Sequence, residues 1–279
     1  MTAGGPPVVR RRQGRISWRA IGIALLSTVV VGGLLGWVVV NAPGWPDVQR
    51  EFLNGPIFWS SLPGIVAAFW KNIQLFLIAE ALILPIALVV AVMRGLPGPA
   101  FFPLRALATI YVDVFRALPG ILVIYVLGFG FAGLGIPGVP NDTFFWGVVA
   151  LTLIYSAYVS EVYRAGIESV HPSQDAAARS LGLSRFQSLR HVVVPQAVRR
   201  VIPPLLNDFI GLQKDTVLIS FIGVVEIFRT ASIKQAATFN FTPYLGVALV
   251  FIVVTIPLAR FTDWLVARDK RRASAGGGR

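Results

Sequence analysis

The chain has 279 residues, 55% of them hydrophobic and only 14% charged, with a formal net charge of +12 and no cysteine. A soluble surface needs about a quarter charged residues, so lipid is the expected solvent, and without thiols there is no disulfide framework, thiolate metal site or redox pair. The positive charge does not indicate nucleic acid: 19 of the 25 Lys and Arg fall in four blocks, Arg10 to Arg19, Arg94 with Arg105, Arg164 to Arg200 and Arg260 to Arg279, which alternate with apolar spans as cytoplasmic loops do.

A basic arm, residues 1–19, precedes an uncharged run from Ala20 to Val40. That run is too long for a secretory leader and lacks a small-x-small cleavage site, so it reads as a retained first helix. Residues 1–15 read as disordered. Asn41 to Ser61, rich in Pro, Gly and Trp, reads as an external loop. The second span runs from Leu62 to Met93, interrupted by Glu80 and Pro85, with Lys71 snorkelling at the outer boundary. Arg94 to Pro99 forms an inner turn.

The third helix, Arg105 to Phe131, carries Asp113 and Arg116 one turn apart, close enough to pair, and Pro119 with Gly120 bends it. Gly133 to Asp142 is an external turn, and the fourth span covers Thr143 to Tyr163. Arg164 to Arg200 is too polar to span. The fifth span is Val201 to Gly223, an external segment with Glu226, Arg229 and Lys234 follows, and the sixth is Thr242 to Ala259. A basic tail, 268–279, closes the chain and reads as disordered from Ala273.

The expected fold is therefore an all-α membrane protein with six transmembrane helices and both termini cytoplasmic. Of the Lys and Arg, its three external loops hold only Arg50, Arg229 and Lys234. The expected organisation is the arm 1–19, a first helix and external loop 20–61, a core 62–267 and the tail 268–279.

The polar loop between the fourth and fifth spans reads as two short helices. Ser173 is placed to cap the first, Asp175 suits its N-terminal dipole, the run Ala176, Ala177, Ala178 propagates it, and Gly182 stops it. Ser184 with Gln187 forms a capping box for the second, and Pro195 ends it. The product is a rigid elbow. Its first helix, about 12 Å long, offers small alanine side chains with Leu181 and Leu183 to a cleft on a partner.

Residues 157–218 resemble the permease subunits of polar-amino-acid ABC importers of the histidine, glutamate, glutamine, arginine and opine type. Matching positions are Ala157, Tyr158, Glu161, Arg164, Gly166, Ile167 and Ser169, then Gln174, Ala177, Ala178, Leu181, Gly182, Ser184 and Gln187. Pro195, Gln196, Ala197, Arg199, Pro203, Asn207, Ile210, Leu212, Lys214, Asp215, Thr216 and Leu218 complete them. The glutamate that names the family's EAA loop is Ala176 here, and the glycine before the glutamine is Ser173. Asp175 stands one position before the missing acid and is the candidate to compensate for it. The family's RGTP signature survives only at its ends, as Arg116, Ala117, Leu118, Pro119.

The resemblance implies a transport subunit of a bacterial inner membrane, not an enzyme, that forms the path for a polar amino acid, glutamate, glutamine or a basic one. It implies a coupling-helix elbow between helices four and five that docks two cytoplasmic ATPase subunits, through Ser173, Gln174, Asp175, Ala176, Ala177, Ala178, Leu181, Gly182 and Leu183. A second permease, identical or paralogous, an extracytoplasmic solute-binding protein and membrane lipid are the other implied partners, with no nucleic acid. ATP and Mg belong to the ATPase; no cofactor is expected on this chain, which has no G-x-x-x-x-G-K-[ST] loop.

The two histidines, His171 and His191, lack ligand-spaced acids, so no metal site is expected. Ionisable and polar groups inside spans are costly in lipid and mark a path or an interhelical partner. An amino acid carries both charges, which makes Glu80, Asp113, Arg116, Glu161, Asn207, Asp208, Gln213, Lys214, Asp215 and Thr216 the substrate-path candidates. Asp113 with Arg116 also fits a structural ion pair, and Lys214 and Asp215 diverge by about 100° on one helix. The alternative to an ATP-driven importer is an ion-coupled secondary transporter, in which acids such as Glu80 would carry the coupling ion.

Overall fold

The structure, a computed structural model, describes residues 18–135 and 137–276. The basic arm ahead of Trp18 and residues 277–279 of the tail lie outside the described residues. Among the described residues all regular structure is helical: α1 Trp18–Val40, α2 Trp45–Phe52, α3 Gly55–Gly95, α4 Phe102–Ala117, α5 Gly120–Tyr125, α6 Thr143–Glu168, α7 Pro172–Ser180, α8 Arg185–Ser188, α9 Val194–Asp215, α10 Ile227–Thr238 and α11 Thr242–Gly276. Four helical stretches are long and apolar enough to cross a membrane, and the count is six if each of two bent pairs is one span.

The chain divides into two units, Met1–Leu53 and Asn54–Arg279. In the first, α1 is apolar on every side and its described side chains are exposed, the pattern of a helix solvated by lipid. A short helix, α2, occupies part of what reads in sequence as an irregular external loop.

In the second unit, α3 and α6 pack along each other at the centre, flanked by α4, α9, α10 and α11. Leu75 and Ile83 of α3, Leu151 of α6 and Leu212 of α9 meet Ile219 and Ile222 in one buried cluster. Lipid tails are as apolar as leucine, so burial alone does not hold such helices together; close fit does. Gly166 of α6 is the tightest case. A Cβ there would overlap Val201 Cγ1 of α9, and valine in a helix has little rotamer freedom with which to retreat. Gly166→Ala is expected to cost about 1–3 kcal/mol, read as a lowered melting temperature of the purified protein. An unchanged melting temperature would show that α6 and α9 separate without penalty.

Several sequence expectations change. Helix α3 starts at Gly55, capped by the Asn54 side chain (3.2 Å to Ile57 N), inside the expected external loop. Neither Glu80 nor Pro85 interrupts it. Breaking a helix in hydrocarbon would strand more backbone groups than the single N–H a proline removes. The bend at Pro119 is real and large, 107° between the segments Pro99–Ala117 and Gly120–Phe131. Its cause is local: Leu118, as the residue before proline, is extended, and Pro119 continues that extension.

Pro195 does not end a helix. A π turn, Leu189–Val193, carries the chain from α8 into α9, so that Pro195 falls in the first turn of α9, where a missing N–H is tolerated. The segment after the fifth span is not a solvated loop either: Glu226 is fully buried and caps α10, accepting from Arg229 N at 2.7 Å. At the end of the chain α11 runs on to Gly276, past Ala273 where disorder was expected.

Candidate functional site

The loop after α6 builds a platform from local rules. Pro172 takes the first position of α7, where its fixed φ suits the helix. The cap is His171 and not Ser173: its Nδ1 accepts from Ser173 N at 3.2 Å, because the proline moves the helix start two residues earlier than a serine cap would place it. The far end closes on Gly182, at φ +87°, with Gly182 N donating to Arg179 O (3.0 Å) and Leu183 N to Ala178 O (3.3 Å). Those two bonds make a Schellman motif. The expected capping box follows: Ser184 Oγ accepts from Gln187 N, and Gln187 Oε1 accepts from Ser184 N at 2.8 Å.

Tertiary contacts then fix which face of α7 looks outward. The buried Ser188 hydroxyl donates to Asp175 Oδ1 at 2.6 Å, and Ala178 is buried. Residues 175 and 178, three apart, thus face the platform's own interior. Asp175 is tied to α8 and is not turned outward to replace an acid at Ala176. Gln196 reaches Gln174 at 3.4 Å, and Arg200 donates to the Ser169 carbonyl. Ser173, Gln174, Ala176, Ala177, Leu181 and Gly182 are exposed, Leu181 at 86%, whereas Leu183 is half-buried. Phe186 of α8, 68% exposed, joins this outer face; a lone aromatic in a polar loop was the sequence signal for it.

The ten path candidates do not form one cluster. Glu80 of α3 and Asp208 of α9 lie within reach of each other's charge, and Asp208 also acts on Tyr155 of α6. Tyr155 donates its hydroxyl to Asp215 Oδ2 at 2.8 Å. Among the described residues, the buried Asp208 Oδ2 has no hydrogen-bond partner. Three carboxylates and a phenol from three helices therefore share one acidic track.

Gln213 and Thr216 belong elsewhere. Asn72 Nδ2 donates to Thr216 Oγ1 (3.1 Å) and to Glu226 Oε2 (2.8 Å), its Oδ1 accepts from Ile227 N, and Thr255 donates to Gln213 Oε1 (3.0 Å). This buried clasp joins α3, α10 and α11 around the end of α9, and Asn72, Glu226 and Thr255 were not singled out from sequence. Asn207 lines a separate cleft with Thr262 and Asp263. Asp113 and Lys214 are exposed.

Glu161 gathers the ends of three helices. Arg94, from the last turn of α3, pairs with it, Arg164 Nη2 lies 2.7 Å away, and Arg116 of α4 approaches to 3.9 Å. Arg116 thus turns to Glu161 and not to Asp113, and its guanidinium also sits over the Tyr158 ring at 5.9 Å. Arg164 reaches on to Glu168 at 2.5 Å.

Comparison with known proteins bears on most of the chain. The family described as binding-protein-dependent transport system inner membrane component matches residues 83–271. The chain is 35% identical over 217 residues to the probable glutamine ABC transporter permease protein GlnM of Bacillus subtilis, covering 77% of this chain and 98% of that one. It is 34% identical over 212 residues to the glutamate transport system permease protein GluC of Corynebacterium efficiens, covering 72% and 92%. A crystal structure of an amino acid ABC transporter with histidines superposes with a TM-score of 0.68 at 30% identity, over 74% of this chain and 94% of that one. The inward-facing methionine transporter MetNI shares the fold at a TM-score of 0.61 and 16% identity, over 77% and 99%.

Proposed function

This chain belongs to the binding-protein-dependent transport system inner membrane components, as a permease subunit of an amino-acid ABC importer, and from that premise we propose how it works. It forms the translocation path for a polar amino acid, glutamine or glutamate by the likeness to GlnM and GluC, received from an extracytoplasmic solute-binding protein. It crosses a bacterial inner membrane six times with both termini in the cytoplasm, and pairs with an identical or paralogous permease. Two ATPase subunits, which carry ATP and Mg, dock on α7 as the coupling helix of the elbow.

The observation that carries this reading is the platform: a helix capped by the His171 side chain at one end and closed by a Schellman turn at the other, clamped from inside through Asp175 and Ser188, with Leu181 exposed. A rigid helix transmits a displacement of its partner instead of absorbing it. Movement of α7 passes through α8 and the π turn into α9, which carries Asp208 and Asp215. There Glu80, Asp208 and Asp215 offer partners for the substrate ammonium, and the Tyr155 hydroxyl holds Asp215 in place.

The test is ATP hydrolysis by the reconstituted complex with its binding protein, surveyed across the twenty amino acids. Glutamine or glutamate is expected to stimulate turnover several-fold above the unliganded rate. Uptake that follows an ion gradient with no ATPase bound would replace this reading by ion-coupled transport.

A further inference from the structure

We propose that the cleft between the ends of α3, α4 and α6 binds the phosphate of an anionic phospholipid. The cleft encloses about 560 Å³, and three guanidiniums, Arg94, Arg105 and Arg164, line it together with Thr109, Phe102 and Ile110. No carboxylate is among its lining residues.

The charge around it is unbalanced. Glu161 stands behind the cleft and Glu168 beyond Arg164, so two carboxylates face the four guanidiniums of Arg94, Arg105, Arg116 and Arg164. Arg164 spends its Nε and Nη donors on those acids. Arg105 is held differently: its Nη1 donates to the carbonyls of Leu96 (2.6 Å) and Gly98 (2.8 Å), which fixes the guanidinium plane without neutralising it.

Among the described residues, Nε and Nη2 of Arg105 and of Arg94 have no acceptor, and the Thr109 hydroxyl has no partner. Such donors from two helix ends suit the two free oxygens of a phosphodiester, which accepts charge-assisted bonds from each.

Two sources of phosphate satisfy those donors, and the wall chooses between them. Phe102 and Ile110 are 63% and 60% exposed beside the arginines. Inorganic phosphate would leave that apolar surface bare, whereas the glycerol and acyl chains of a lipid cover it. The arginines also sit at the ends of spanning helices, the depth of a headgroup, where basic pockets between helices hold anionic lipids.

The experiment is native mass spectrometry of the full-length permease released from nanodiscs of phosphatidylethanolamine with phosphatidylglycerol, with lipid affinity read from titration. The wild type is expected to retain phosphatidylglycerol in preference to phosphatidylethanolamine. Arg105→Gln should weaken the anionic lipid about fivefold, while Arg105→Lys keeps most of the affinity. Ile110→Glu breaks no hydrogen bond and should weaken it comparably by placing a carboxylate in the wall, so it carries the test if Arg105→Gln fails to fold. Equal retention of the two lipids by the wild type, or unchanged affinity in a folded Arg105→Gln or Ile110→Glu protein, would overturn the proposal. So would displacement of the lipid by millimolar inorganic phosphate, the mark of a free-anion site.

Discussion

Leu181→Asp is expected to release the ATPase from the permease and to abolish amino-acid-stimulated hydrolysis, with the melting temperature of the isolated permease unchanged. Leu181 is the most exposed large apolar side chain on the platform, at 86%, and only its backbone contributes to the Schellman turn. The turn's apolar contact is left to Leu183, which is half-buried. Truncating an apolar anchor at the centre of an interface costs about 2–4 kcal/mol, and a carboxylate buried against a partner cleft costs more. Affinity should therefore fall by a factor of at least about 30, measured by co-purification and by titration of ATPase onto the reconstituted permease. Ala176→Glu, at an exposed position and the place of the absent family glutamate, is expected to retain association. If Leu181→Asp binds the ATPase as tightly as the wild type, α7 is not the docking element.

Glu161→Gln should destabilise the permease itself. The glutamine keeps the shape and loses the charge on which Arg94, Arg116 and Arg164 converge from the ends of α3, α4 and α6. Removing one partner from a buried ion pair costs about 3–5 kcal/mol because a charge is left behind without compensation. Here Glu161 is 17% and Arg94 15% exposed, so water offsets part of that loss, and about 2–3 kcal/mol is expected. The comparison that isolates the effect is Glu168→Gln. It removes a pair whose carboxylate is 61% exposed, and should cost under about 1 kcal/mol. Thermal melting of both variants in one detergent gives the ranking, and equal melting temperatures would show that Glu161 is only a surface partner.

Much of the platform was legible in sequence because its rules are local. Gly182, Ser184 and Gln187 act on backbone groups within three residues of themselves, and the structure keeps all three in their expected parts. The start of α7 failed by a small margin, since Pro172 and His171 compete with Ser173 for the same end and the imidazole supplies the acceptor. Pro195 failed for a different reason. A proline stops a helix only if its missing N–H breaks a bond, and the π turn at Leu189–Val193 changed which bonds existed there.

The acids show the limit most clearly. Glu80, Asp208, Gln213 and Thr216 all stood out as polar groups in apolar spans, but nothing in their spacing separates an acidic track from a buried clasp. The partners that sort them, Tyr155 for Asp215, and Asn72 with Glu226 for Thr216, come from other helices. Glu226 was read as part of an external segment with Arg229 and Lys234, and it is buried because its neighbour in space is Asn72.

By itself the sequence determined the solvent, the apolar spans, the bend at Pro119 and the glycine-closed turn of the elbow. Each of these follows from composition, from charge alternation, or from dihedral limits of one or two residues. Only the tertiary structure decided that Asp175 faces inward, that Arg116 turns to Glu161, and that three guanidiniums, of which Arg105 is held by carbonyls alone, line one cleft. The reason is physical: a side chain's partner is set by helix packing between residues as far as 155 positions apart in these bonds, and no rule that runs along the chain carries that information.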